Sequence, residues 1–292
     1  MEVVVDLGAA DPEHGLVADR FVLDDRFAYV DTNRGLYRAP KCGGSAVRIA
    51  ENDPGQYSAS GIVQDATSIY LAASAPVKGG FVRRIAKDGS GAVDLASSSG
   101  ELFGLALAND RLYWVEKTAS SGIVRARSLG GAAVETMGTV PIAYSYGPFV
   151  ADASGVTFFA LNGSNYGTFY ARRDGAAFTS AGDGSAPFEI VSAAGGALYF
   201  TYGHTGVNGV ARLPGGSRVA DAVAPYGLAE RGGSLYWSDM SAATVSRCTI
   251  TDGSCTGVKI VASGEDDPRH VAVDDLAVYW VTRRGTVKRA PR

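Results

Sequence analysis

Long apolar stretches are missing from these 292 residues. A helix that crosses a membrane needs about 20 consecutive apolar residues, and every apolar run here is broken within a few positions, so membrane insertion is not expected. Helical periodicity is equally scarce. No segment of about ten residues or more repeats its apolar positions at helical spacing, which argues against a bundle or an α/β fold. An excess of basic residues is missing too: Lys and Arg number 27 against 30 Asp and Glu, for a formal net charge of -3. With no broad positive field and no run of lysines, nucleic acid is excluded as the expected partner.

Histidine is rare. The three present, His14, His204 and His270, never stand at His-x-His or His-x-x-x-His spacing. Metal ligands would have to converge from distant segments, so neither a metal nor another cofactor is expected. The Gly-x-Ser-x-Gly nucleophile elbow and the phosphate-cradling Gly-x4-Gly-Lys-Ser/Thr loop are both absent. Cysteine is sparse as well, at three residues. Cys248 and Cys255 bracket the turn-rich segment TITDGS between two predicted strands, where they could meet across a hairpin; Cys42 has no obvious mate. A bridge would accord with export, whereas two reduced thiols are the alternative. The first residues, MEVVVDLG, lack the basic start and apolar core of a signal peptide, so an exported protein of this kind would carry its leader outside them.

Glycine is abundant, at 38 residues, and between the glycine-rich turns a short aromatic motif recurs. Its copies are AYV at Tyr29, IYL at Tyr70, LYW at Tyr113, TFF at Phe159, LYF at Tyr199, LYW at Tyr236 and VYW at Tyr279, spaced by 41, 43, 46, 40, 37 and 43 residues. That period is the length of a four-stranded propeller blade. The chain is therefore predicted to be all-β, a single seven-bladed β-propeller domain over residues 1–292.

The last copy reads as four strands, KIVAS, HVAVD, AVYWV and GTVKRA, with the aromatic anchor on the third. The fourth has echoes in GLYR, GFVR, GIVR and GVAR, so a basic residue recurs at Arg38, Arg83, Arg125, Arg212 and Lys288. These read as edge charges that discourage unwanted pairing. Asp274 and Asp275 recur as turn-formers in AVDD and VLDD. The final copy runs out at Pro291-Arg292, while VVVDLGAADPEH at the start matches IVASGEDDPRH from Ile260 in its apolar opening, glycine and Asp-Pro. The N-terminal strand is expected to complete the last blade and close the ring.

The stretch LYWSDMSAATVSRCTITDGS from Leu235, followed by DDPRHVAVDDLAVYW, resembles the YWTD repeats of low-density-lipoprotein-receptor-type propellers and their bacterial relatives. The resemblance implies a β-propeller, often extracellular and used for recognition, and carries over no catalytic residue. Those propellers have six blades, one fewer than the anchors here. Streptogramin B lyase, a seven-bladed propeller of similar length, has a characteristic Pro-x-Gly-Ile and Gly-Pro-x-Gly pattern that this sequence lacks, and supplies only an example of an enzyme on such a ring.

Propellers place function where the loops leading into the innermost strands, and those joining second to third strands, surround the central channel. The first set supplies Arg20, Tyr57, Phe103, Tyr146, Phe188, Tyr226 and Arg269, and the second supplies Asp31, Tyr202 and Asp239. Rings there could stack on a sugar or a flat ligand, with Arg269 and carboxylates fixing polar groups; the alternative is that they plug the channel. His270 with Glu189 or Asp239, and His204, are the candidates for acid-base work. The expected protein is an exported monomer that binds a small molecule, glycan or peptide at the channel face, and the competing reading is a lyase or hydrolase with a histidine base.

Overall fold

All seven anchor motifs fold as strands, and each is the second strand of a four-stranded antiparallel sheet. The computed structural model describes residues 1–8, 16–56, 59–75, 78–141, 143, 145–153, 155–161, 166–173, 176–185, 187–204 and 207–292, apart from the side chains at 145, 146, 166, 173, 183–185, 204 and 207. Seven sheets account for its strands, and among the described residues the only helical element is a 3-10 turn at Ala194–Gly196. Inner strands of consecutive blades touch all the way round, including Pro268–Val273 of blade 7 against Ala18–Leu23 of blade 1. The ring is a closed seven-bladed β-propeller.

Each anchor packs onto the following blade, in a cluster with aliphatic and further aromatic side chains. Tyr29 clusters with Ile62, Ile69 and Leu71 of blade 2, Tyr70 with Leu105 and Trp114 of blade 3, and Tyr279 with Phe21 and Val30 of blade 1. Six of the seven anchors are buried and Tyr113 is half-buried. Burying one such side chain contributes on the order of 1.5–3 kcal/mol. Two anchor hydroxyls reach a turn aspartate, Tyr29 Oη donating to Asp24 at 2.9 Å and Tyr70 Oη to Asp65 at 2.6 Å, whereas Tyr199 Oη donates to the Gly253 carbonyl at 3.3 Å. Asp274 makes the matching turn, its Oδ1 accepting from the N–H groups of Leu276 and Ala277, while exposed Asp275 instead pairs with Arg231 at 2.8 Å.

The phase of the repeat differs from the sequence reading by one strand. KIVAS lies in Ser254–Ser263, the outermost strand of blade 6, so the anchor is second from the channel rather than third. Arg38, Arg83, Arg125, Arg212 and Lys288 accordingly sit on third strands, each inside an outer strand, and are not edge charges. A period fixes spacing but not phase. The segment SGEDDP looks like a hairpin turn, yet it carries the chain from the outer edge of one blade to the centre of the next.

Closure follows the expected route. Glu2–Asp6 pairs antiparallel with Thr286–Pro291, with Glu2 opposite Arg289 and Val5 opposite Val287, and Val4, Val5 and Leu7 are buried. In all seven blades the outermost strand slips register against its neighbour, once in six of them and twice in blade 6, a repeated bulge that increases twist toward the rim. Cys248 and Cys255 are bonded across the outer hairpin of blade 6, with Cα atoms 5.5 Å apart, and Cys42 is free and exposed.

Candidate functional site at the channel mouth

The inner strands of blades 1, 5, 6 and 7 do not begin as regular ladder. Register slips at Asp19 in blade 1, at Phe188 in blade 5, at Tyr226-Gly227 in blade 6 and at Arg269-His270 in blade 7. A bulged residue leaves the ladder and its side chain is re-aimed, so these slips turn side chains toward the channel. Pro187, Pro225 and Pro268 open three of these strands, where the missing N–H costs no ladder bond.

Arg20 and Glu189 meet in the channel from blades 1 and 5, with Nη1 to Oε2 at 2.8 Å. Burial disfavours the Arg20 cation, but Glu189 beside it outweighs this and raises its pKa. Burial likewise pushes the Glu189 carboxyl up, and the charge of Arg20 together with His270 overrides it, holding the group at about 2. His270 Nε2 stands 3.4 Å from the same Oε2, its ring edge-on to Phe21 at 5.4 Å, and its Nδ1 is buried with no hydrogen-bond partner. Gly227 makes room for this approach: a Cβ there would lie 2.7 Å from His270 Cα.

A line of hydroxyls stitches blades 5, 6 and 7 together behind these groups. Glu189 N donates to Thr201 Oγ1 at 3.1 Å, which donates to the Tyr226 carbonyl at 2.7 Å. Gly227 N donates to Ser238 Oγ at 2.9 Å, and Ser238 Oγ donates to the Arg269 carbonyl. Asp31 occupies the same repeat position, two residues after its anchor, and its Oδ2 accepts from Ala59 N of the next blade at 2.7 Å. Its Oδ1 has no partner, and burial raises the carboxyl to about 7.

Above this floor lies a cavity of about 630 Å³ lined by blades 1, 2, 4, 5 and 6, including Asp19, Arg20, Gln56, Pro148, Phe188 and Tyr226. Phe188 and Tyr226 stack at 5.1 Å, and the Arg269 guanidinium lies 4.8 Å over the Tyr226 ring. Burial raises the Tyr226 phenol, so it stays a neutral donor at ordinary pH.

Of the residues predicted for this face, Arg20, Phe188, Glu189, Tyr226, Arg269 and His270 are brought together. Others are spent elsewhere. Phe103 packs against Val115 and Phe149 between blades 3 and 4. Tyr202 is buried beside Phe200 at 5.8 Å. Asp239 is buried and accepts from the backbone N–H groups of Val223, Ala224 and Ala242, which shapes a loop rather than a ligand contact. Tyr57 and His14, and the side chains of Tyr146 and His204, lie outside the described residues. Nothing in ADRFVL marks the bulge at Asp19, whereas Thr201 and Ser238 carry a readable signal, a hydroxyl two residues past an aromatic anchor.

Neither a protein-family model nor a curated protein matches the chain. Among solved structures it is similar over 100% of its length, and 98% of theirs, to virginiamycin B lyase from Staphylococcus aureus, with a TM-score of 0.71 at 11% identity. A catalytically inactive histidine-to-alanine variant of that enzyme with quinupristin gives 0.70 at 12%. The computationally designed Ika8 protein matches over 100% of both chains, at 0.64 and 12% identity. The likeness is one of fold. At such identities shared architecture says nothing about which residues do chemistry, since unrelated functions share this ring.

Proposed function

We propose that the chain is a recognition propeller whose channel mouth binds a small molecule, or one sugar or side chain of a larger glycan or peptide. The observation that carries this is the cavity wall itself: the stacked Phe188 and Tyr226 beside Arg20 and Asp19, in about 630 Å³. An apolar ring surface with a few convergent polar groups is the usual make-up of a ligand site. The cross-channel pair of Arg20 and Glu189 gives the mouth a floor, so a ligand would sit in a bowl rather than a pore. The local resemblance to YWTD repeats, and the Cys248–Cys255 bridge, favour an exported protein.

A lyase or hydrolase is the second reading, favoured by His270 beside Glu189 at 3.4 Å and by a fold neighbour that is inactive when one histidine is replaced. A general base must reach the proton it removes. Here Nε2 faces Glu189 and Nδ1 is buried, which weighs toward binding.

A thermal-shift screen with aromatic, saccharide and peptide ligands tests the proposal. Ligands that stabilise the wild type should fail to stabilise Tyr226→Ala, whose own melting temperature should change little. A ligand that stabilises both proteins equally would move the site away from the mouth.

A further inference from the structure

We infer that the ligand of the channel mouth carries a cationic group, an ammonium or guanidinium, on a flat or aromatic body. This rests on the mouth being the binding site. Its argument is one of unbalanced charge. Arg20 is answered at the mouth by Glu189 at 2.8 Å, and Arg269 by Asp267 at 3.0 Å, a carboxylate it shares with Arg283 at 3.9 Å. Asp19 lines the cavity half-buried, and among the described residues its carboxylate joins no ion pair and accepts no hydrogen bond.

Asp19 is therefore the cavity-lining carboxylate left, among the described residues, without a cation. Asp31 stands behind the wall, wholly buried opposite Arg20, one oxygen unpartnered and the other accepting from the N–H of Ala59, itself part of the cavity lining; raised to about 7, it is partly protonated at neutral pH and adds only a fraction of a charge. Aromatic faces attract cations through their quadrupole, and this pair already has one, Arg269 over Tyr226. An anionic ligand would meet Asp19 directly and would have to compete with Glu189 for Arg20. A cationic one meets an open carboxylate in a partly desolvated bowl walled by Phe188, where charge pairing is screened less than at an open surface.

Three probes of nearly equal shape separate the charge from the ring: tyramine, the neutral 4-ethylphenol and the anionic 4-hydroxyphenylacetate. By titration calorimetry at neutral pH and low salt, tyramine should bind roughly tenfold more tightly than 4-ethylphenol, and the anion weakest. Asp19→Asn, with folding checked by its melting curve, should bring tyramine down to the level of 4-ethylphenol and leave 4-ethylphenol unchanged. Phe188→Ala should weaken both. Equal or better binding of the neutral or anionic probe, or a tyramine preference that survives Asp19→Asn, overturns the cationic class while the mouth remains the site. If none of the three binds, or if Phe188→Ala changes nothing, the site reading falls and this inference falls with it.

Discussion

Arg20 and Glu189 close the channel between them: the two side chains come from blades 1 and 5, which are not neighbours in the ring, and meet at 2.8 Å. A closed ring built from nearest-neighbour contacts gains here a bond across its axis. Both side chains are mostly but not fully buried, so removing one partner leaves the other poorly compensated, at a cost of up to about 3–5 kcal/mol. Arg20→Met and Glu189→Leu should each lower the urea midpoint strongly, and the double variant should recover much of the loss. Additive losses in the double variant would show that the two groups do not act as a pair.

The same carboxylate sets an acid response. Its native pKa is depressed to about 2 from an ordinary 4.5, so the stability it contributes is present above 4.5 and is lost as pH falls from there toward 2. Glu189→Gln should flatten the fall of melting temperature over that acid range. An unchanged acid slope in the variant would refute the assignment.

Asp31 behaves in the opposite sense. Its native pKa is raised to about 7 from 3.8, so the folded state holds the extra proton in between, and stability falls as pH rises from 3.8 to 7 and then levels off. Asp31→Asn keeps an acceptor for Ala59 N and removes the buried charge. The variant should melt higher than wild type at pH 8, with the gap closing near pH 4. Equal melting curves at both pH values would mean that Asp31 is solvated in the native protein.

Thr201 joins two blades through one oxygen, accepting from Glu189 N and donating to the Tyr226 carbonyl. Thr201→Val preserves shape and leaves both backbone groups without that partner, which costs about 1–3 kcal/mol for each buried group unmet. Because those groups carry the floor and the wall of the mouth, ligand-induced stabilisation should drop together with the melting temperature. A variant that loses stability yet keeps full ligand response would confine Thr201 to a structural part.

The closing strand is tested by deleting residues 1–6. Val4 and Val5 are buried and the strand pairs with Thr286–Pro291 over its length, so the deletion should cost a few kcal/mol and expose a blade edge. A melting temperature unmoved by the deletion would show that ring closure does not depend on this strand.

Blade number and closure were legible in the chain, because each depends on a local pattern that recurs or on two segments that match; the Cys248–Cys255 bridge was one of two readings the sequence left open, and the structure decided it. Seven aromatic anchors at a near-constant period leave one architecture, and the start of the sequence echoes the strand that its end lacks. The phase of the blades was not legible, since a glycine- and aspartate-rich segment looks the same whether it turns a hairpin or crosses to the next blade. The site was legible only in part. Glu189, His270 and Tyr226 could be assigned to one face by counting loops, but that Arg20 reaches across to Glu189, that Asp239 is consumed by its own loop, and that a bulge presents Asp19 to the cavity were decided by the tertiary structure. Period and alternation are properties of one strand and its neighbours. Which side chains meet at the axis depends on ring radius, on register slips of one or two residues and on how seven blades tilt together, and none of these is written in any single repeat.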